Sequence, residues 1–120
     1  MIHIIEKLTT ANAGTNDLDA DVMEHLGCAV KRTGYWQYKG DPYGAGAQRW
    51  YRIPELTSSI DGAIQFIRDR QVNEPTIILH MEPSATTAWI TIPPARRARM
   101  ARASTAPLAL LAAFLSEPLP

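Results

Sequence analysis

The stretch Leu56–Arg70, LTSSIDGAIQFIRDR, limits the folds open to this chain more than any other. It opens on hydroxyl residues and an acid, then repeats apolar residues at helical spacing. Ile60, Ala63, Ile64 and Ile67 fall on one face, and Gln65, Arg68 and Asp69 on the other. The spacing Ser58-x-x-Asp61 matches a capping box with Asp in the usual Glu position, so the helix start is legible. Gly62 weakens the first turn, which a close neighbour would explain, and Asn73-Glu-Pro75 closes the segment.

The flanking segments supply partners for that helix. Ile2–Thr10 carries Ile4, Ile5 and Leu8 near helical spacing and stops at Asn12-Ala-Gly14. Thr15-Asn16-Asp17 offers capping oxygens to a second helix, with Leu18, Val22 and Leu26 on one stripe, acids in its early turns and a stop at Gly27. Cys28–Tyr38 suits a strand or a hairpin arm, Lys39–Ala47 is turn chemistry throughout, and Gln48–Ile53 returns as a strand. Thr76–Met81 and Thr87–Ile92 form an antiparallel hairpin across Pro83-Ser84-Ala85; Ala88, Ile90 and Ile92 share one face, and Thr87, Trp89 and Thr91 the other.

Ala95–Ala103, ARRARMARA, has no apolar face longer than Met100 and reads as a solvated loop or a loose helical lead-in. Ser104-Thr105 can cap a last helix with Pro107 in its first turn. Leu108, Leu111, Ala112 and Leu115 make its stripe, while Leu110 and Phe114 spread apolarity around most of the circumference. Such a helix is buried on more than one side, by its own core or by a second subunit, and a homodimer through Leu108, Leu111, Phe114 and Leu115 is expected. The expected fold class is α+β: a single layered domain over 1–120, with about four helices packed on a small, mostly antiparallel sheet.

Composition excludes several classes. At 120 residues the chain can bury one core without staples, and the lone Cys28 excludes an intrachain disulfide framework and a cysteine zinc site. The start MIHIIEKL meets Glu6 and Lys7 too early for a signal-peptide core. Ala106–Leu115 is far short of the roughly 20 residues of a membrane span, so membrane insertion is not expected, and the lone Cys28 fits a cytoplasmic, reducing setting. A net charge of zero gives neither the basic excess of a nucleic-acid binder nor the acidic excess of a DNA mimic, so direct DNA binding is not expected.

Three blocks together resemble a known family. Ile5-Glu-Lys-Leu8 followed by Leu18-Asp19 and Leu26-Gly27, then Thr57-Ser-Ser-Ile-Asp-Gly-Ala-Ile64, then Thr105-Ala-Pro-Leu-Ala-Leu110 are similar in order to the motifs of the phage ABA-sandwich domain family. The chain departs from that pattern at Gly62, where the family usually has Ala, and at Ala106-Pro107, which reverses the usual order. The resemblance implies an α/β layered fold and a phage or prophage origin. It brings no catalytic residues.

The residues alone offer few catalytic options. His80-Met-Glu82 matches the H-x-E fragment of zinc deaminases, but the cysteines that complete the motif are missing, which leaves His80 as a strand residue. Asp21 and His25 lie one turn apart and could share a metal, yet two ligands do not make a site and no metal or other cofactor is expected. The serines before Ile60 lack a nucleophile elbow, Cys28 reads as a small buried residue, and Gly44-Ala-Gly46 lacks the rest of any phosphate loop.

What remains is a segment crowded with cations and rings. Tyr35, Trp36, Tyr38, Tyr43, Arg49, Trp50 and Arg52, with Lys31, Arg32, Lys39 and Tyr51 beside them, are the types that stack on bases, fork onto phosphate, or anchor protein interfaces. Arg96 and Arg97 add a second basic site. The expected function is a non-enzymatic phage accessory protein that binds a host protein and inhibits a defence system such as CRISPR. The alternatives are sequestration of a nucleotide signal by Tyr35, Trp36, Arg49, Trp50 and Arg52, and a role in virion assembly. An enzymatic role would require distant residues to converge.

Overall fold

The computed structural model describes residues 3–32, 34, 36–40, 50–71 and 73–117. Most of the predicted turn Lys39–Ala47, from residue 41 on, lies outside them, as do Tyr35, Tyr43 and Arg49. Among the described residues the chain forms four helices and two three-stranded antiparallel sheets, an α+β architecture whose strands are divided between two sheets rather than gathered in one.

Helix α1 (Ile4–Thr10) buries Ile4 and Leu8, and the His3 Nδ1 accepts from the Ile5 N–H at its start. Helix α2 (Asn16–His25) is capped by Thr15, whose Oγ1 accepts from the Leu18 N–H at 3.1 Å. It stops where the glycine predicts. Gly27 takes φ +94°, its N–H donates to the Glu24 carbonyl at 2.9 Å, and the Cys28 N–H donates to the Met23 carbonyl at 3.1 Å, which together close the last turn.

Cys28–Tyr38 is itself a hairpin rather than one arm of a longer one. β1 (Ala29–Lys31) and β2 (Gln37–Lys39) pair antiparallel on either side of Gly34, which sits at φ +62°, and β3 (Tyr51–Arg52) adds to β2. Of the predicted strand Gln48–Ile53, residues 48 and 49 lie outside the described residues and Tyr51–Arg52 pair as β3.

Helix α3 (Ile60–Asp69) begins one residue later than the Ser58-x-x-Asp61 spacing requires. Ser59 is the cap, its Oγ accepting from the Gly62 N–H at 3.0 Å. The buried face is Ala63, Phe66 and Ile67, with Ile64 half-buried and Ile60 exposed. Gly62 is required by its neighbour: a Cβ there would lie 2.1 Å from the Glu55 carbonyl oxygen.

The second sheet holds β4 (Thr76–Met81), β5 (Thr86–Thr91) and β6 (Arg99–Ala103), with β5 central. The first two strands form the predicted hairpin, with the Glu82 N–H donating to the Ala85 carbonyl across the turn. The third corrects the expectation of a loop or helical lead-in at Ala95–Ala103. Arg99-Met-Ala-Arg-Ala103 alternates after all, burying Ala101 and Ala103 on the inner face, and small side chains there let α4 (Ala106–Leu115) sit close above. Pairing with β5 overrides the helical preference of Ala and Arg. Arg99 also reaches the far end of α4, its Nη1 donating to the Phe114 carbonyl at 2.7 Å, where a cation complements the helix C-terminus.

Helix α4 is the centre of the core. Every residue from Ala106 to Phe114 is buried, against α1, α3, β5 and β6. Its wide apolar circumference is therefore taken up within the chain: Leu108 and Leu111 are wholly covered, Phe114 nearly so and packed edge-on to Phe66, and Leu115 is half-buried. The feature that suggested a homodimer through these four residues is accounted for by the chain's own core. Thr105 stands at the N-cap as predicted but makes no side-chain cap bond. Among the described residues no helix is long and apolar enough to cross a membrane.

Candidate functional site

The pleat of the first sheet sorts the aromatic-basic segment onto two sides. The register Ala29↔Lys39, Lys31↔Gln37 and Gln37↔Arg52 aligns Lys31, Lys39, Gln37 and Arg52 on one face. Trp50, two residues before Arg52, joins them, and the Lys31 Nζ sits 4.2 Å from the centre of its ring. The opposite face carries Val30, Tyr38 and Tyr51 in register. Tyr38 is buried there, with Tyr51 against it at 5.8 Å between ring centres. Burial pushes the Tyr38 hydroxyl pKa up, with Cys28 and Tyr51 adding to it. Of the predicted site residues, then, Trp50 and Arg52 share an outward face, Tyr38 belongs to the core, and Trp36 lies just before β2 with the Arg32 guanidinium 5.9 Å from its ring.

Arg32 is already engaged. Its guanidinium reaches Asp17 at 3.2 Å and Asp21 at 2.8 Å and also bonds Glu24, all on α2, while Lys7 of α1 holds the other Asp21 oxygen at 3.2 Å. Partial burial works against the charge of Arg32, but the bonds to Glu24 and Asp21 and their negative charge outweigh it and hold its pKa above the usual arginine value. This cluster ties the end of β1 to α2. It also uses the acids that a metal at Asp21 and His25 would have needed. His25 is exposed and meets the His3 ring edge-on at 5.9 Å. Among the described residues no group of three or more metal-binding side chains occurs.

A second polar cluster went unread in the sequence. Asp19 is buried, and one of its oxygens, Oδ1, accepts from the Thr57 N–H at 2.7 Å, the Leu56 N–H at 3.2 Å and the Thr57 hydroxyl at 2.7 Å. The Thr57 Oγ1 in turn accepts from the Thr15 N–H at 3.0 Å. Burial raises the pKa of Asp19 even though the bonds to Thr57 and Leu56 pull it down. The cluster is structural: it fastens the start of α2 to the chain entering α3. Gly14 completes the fit, since a Cβ there would lie 2.1 Å from the Thr57 carbonyl oxygen. Asp19 belongs to the Leu18-Asp19 pair and Thr57 opens the Thr57–Ile64 block, so two motifs separated in sequence are partners in space.

Two of the surface cavities among the described residues adjoin these clusters. One of about 230 Å³ is lined by Trp36, Arg52, Asn16, Gly34, Ile53 and Glu55, and so joins two predicted site residues to a carboxylate. A larger one, about 510 Å³, opens between the α1–α2 connection, the start of α3, the β4–β5 turn and the start of α4. Ile60, Met81 and Pro107 give it apolar walls, and Ser58, Ser104 and Glu82 polar ones. None of the predicted site residues lines it.

Arg96 and Arg97 are exposed in the loop between β5 and β6, on the other sheet from the aromatic-basic face. His80 is exposed on β4 and approaches Glu82 at 3.6 Å, as does Arg102. Cys28 is buried beside the first sheet. No family model matches this chain, and no curated protein or solved structure matches it either.

Proposed function

We propose that this protein is a non-enzymatic accessory protein of phage or prophage origin that acts in the host cytoplasm by binding a host protein, and that it inhibits a defence system such as CRISPR. One observation carries the binding part of this reading: the outward face of the first sheet, where Lys31, Lys39 and Arg52 surround Gln37 and the ring of Trp50. Aromatic and arginine side chains are the types that dominate interface energetics, and a ring already held by a cation loses little freedom when a partner covers it. The phage setting rests on the sequence motifs.

The test is expression in a bacterial strain with an active CRISPR system, followed by plaque counts of a targeted phage. Protection of the phage is expected, and its loss in Lys31→Glu with Arg52→Glu, a variant checked for folding by circular dichroism. No protection by the wild type, together with no host protein retained in a pull-down, refutes the proposal.

The 230 Å³ cavity favours a second reading, capture of a nucleotide signal, because it brings Trp36 and Arg52 together. It is smaller than the roughly 300–1,000 Å³ of typical ligand pockets and includes the Glu55 carboxylate, which opposes phosphate. Calorimetry against a nucleotide panel decides it: no heat from any member, or binding unchanged in Arg52→Ala, removes this reading.

A further inference from the structure

We infer that the outward face of the β4–β5–β6 sheet is a second docking surface and that its occupant is an acidic amphipathic helix of a partner protein. The proposal stands independently of the aromatic-basic face, because the two lie on different sheets.

The face is defined by register. Ile78 pairs with Trp89 and Trp89 with Met100, so three large apolar side chains stand in one row across all three strands on the side away from α4. Ile78 is 57% exposed, Met100 41%, and Trp89 between them is half-buried. Antiparallel sheets keep one face in water by making it polar, and the neighbouring rows do so with Thr76 and Thr91 on one side and His80, Thr87 and Arg102 on the other. The central row departs from that pattern. An apolar centre with a hydroxyl-rich rim is the anatomy of an interface rather than of a solvated sheet.

Spacing and charge identify the occupant. Strands lie about 4.8 Å apart, so the row spans about 10 Å, close to the rise between positions i and i+7 of a helix. An apolar stripe at i, i+4 and i+7 matches it. The connection after β5 leaves at the Thr76–Thr91 end of this sheet and carries Arg96 and Arg97, both exposed and without an ion pair among the described residues. At the other end Glu82 is shared by His80 and Arg102 at 3.6 Å each. Three arginines thus border the row against one glutamate. Two copies of this face would repel, which argues against self-pairing, whereas an acidic segment finds both its apolar and its ionic complement here.

The experiment is display panning of random peptides four helical turns long on the full chain, with affinities of the selected peptides measured by fluorescence anisotropy. The expected consensus has three apolar residues at helical spacing and a cluster of Asp or Glu toward one end. Binding should be about tenfold weaker to Ile78→Ser and to Arg96→Glu with Arg97→Glu, both surface changes. The inference is overturned by a consensus without acidic enrichment, or by affinities that neither variant changes. It is likewise overturned if a single-stranded oligonucleotide binds in a Trp89-dependent way, or if sedimentation shows a dimer that Ile78→Ser dissolves.

Discussion

Replacing Asp19 tests whether the link between α2 and α3 works as the geometry implies. Three donors converge on one carboxylate oxygen, and two of them, the Leu56 and Thr57 N–H groups, belong to residues buried from solvent. Asp19→Ala removes the acceptor and leaves those groups unsatisfied, at about 1–3 kcal/mol each. Removing the buried charge returns some of that, because its burial is itself unfavourable. A net loss of about 3 kcal/mol is expected, a drop in melting temperature of about 12 °C for a chain of 120 residues.

Asp19→Asn separates the hydrogen bonds from the charge. Its amide oxygen can accept the same three bonds without a buried charge, while its NH2 stands where the second carboxylate oxygen was. Because folding raises the Asp19 pKa above the usual 3.8, the folded chain holds a proton that the unfolded chain has released as pH rises through that window. The contribution of Asp19 therefore falls with rising pH there and stays low above it. Asp19→Asn should lack this decline and at neutral pH lie between the wild type and Asp19→Ala, because its NH2 places two new donors in a buried site. Thermal melts of the three proteins from acid to neutral pH read both effects. If Asp19→Ala melts with the wild type, or Asp19→Asn at neutral pH is as damaged as Asp19→Ala, the reasoning is wrong.

Other substitutions probe the remaining features. Gly62→Ala, which in an ordinary helix adds about 1 kcal/mol, should here cost about 2 kcal/mol because the new methyl meets the Glu55 carbonyl; chemical denaturation gives the sign. Leu111→Ala, at the centre of α4, should cost about 3 kcal/mol by the same measurement. Arg32→Gln frees Asp17 and Glu24 and leaves Asp21 to Lys7 alone in a partly exposed cluster, and should lower stability by about 1 kcal/mol, an effect that shrinks in high salt when the melts are repeated.

How much of this was legible depended on whether the deciding contact was local. The ends of α2 were readable because Thr15 and Gly27 act on their own neighbours, and the β4–β5 hairpin because its pattern and its turn agree. β6 was not: Ala101 and Ala103 are too small to register as an apolar face, and only pairing with β5 and cover by α4 make them one. Without β6 Met100 has no cross-strand partner, so the row it completes with Ile78 and Trp89 exists only in the fold. Asp19 looked like one more acid in the first turn of a helix, since nothing nearby says that it faces inward toward Thr57. Ser58 and Ser59 offer the same hydroxyl to a helix start, so sequence alone does not separate them; in the fold Ser59 is the cap. In the candidate site, composition pointed to Trp50 and Arg52, but only the register could separate them from Tyr38.

The division of the strands into two sheets has a consequence for how this protein can change. The outward side of the first sheet and that of the second share no strand, and each is displayed on a backbone whose inner side meets the common core. Substitutions on the two surfaces should therefore combine additively, within the few tenths of a kcal/mol typical of sites without shared partners. A chain built this way can vary one outward surface while retaining the other.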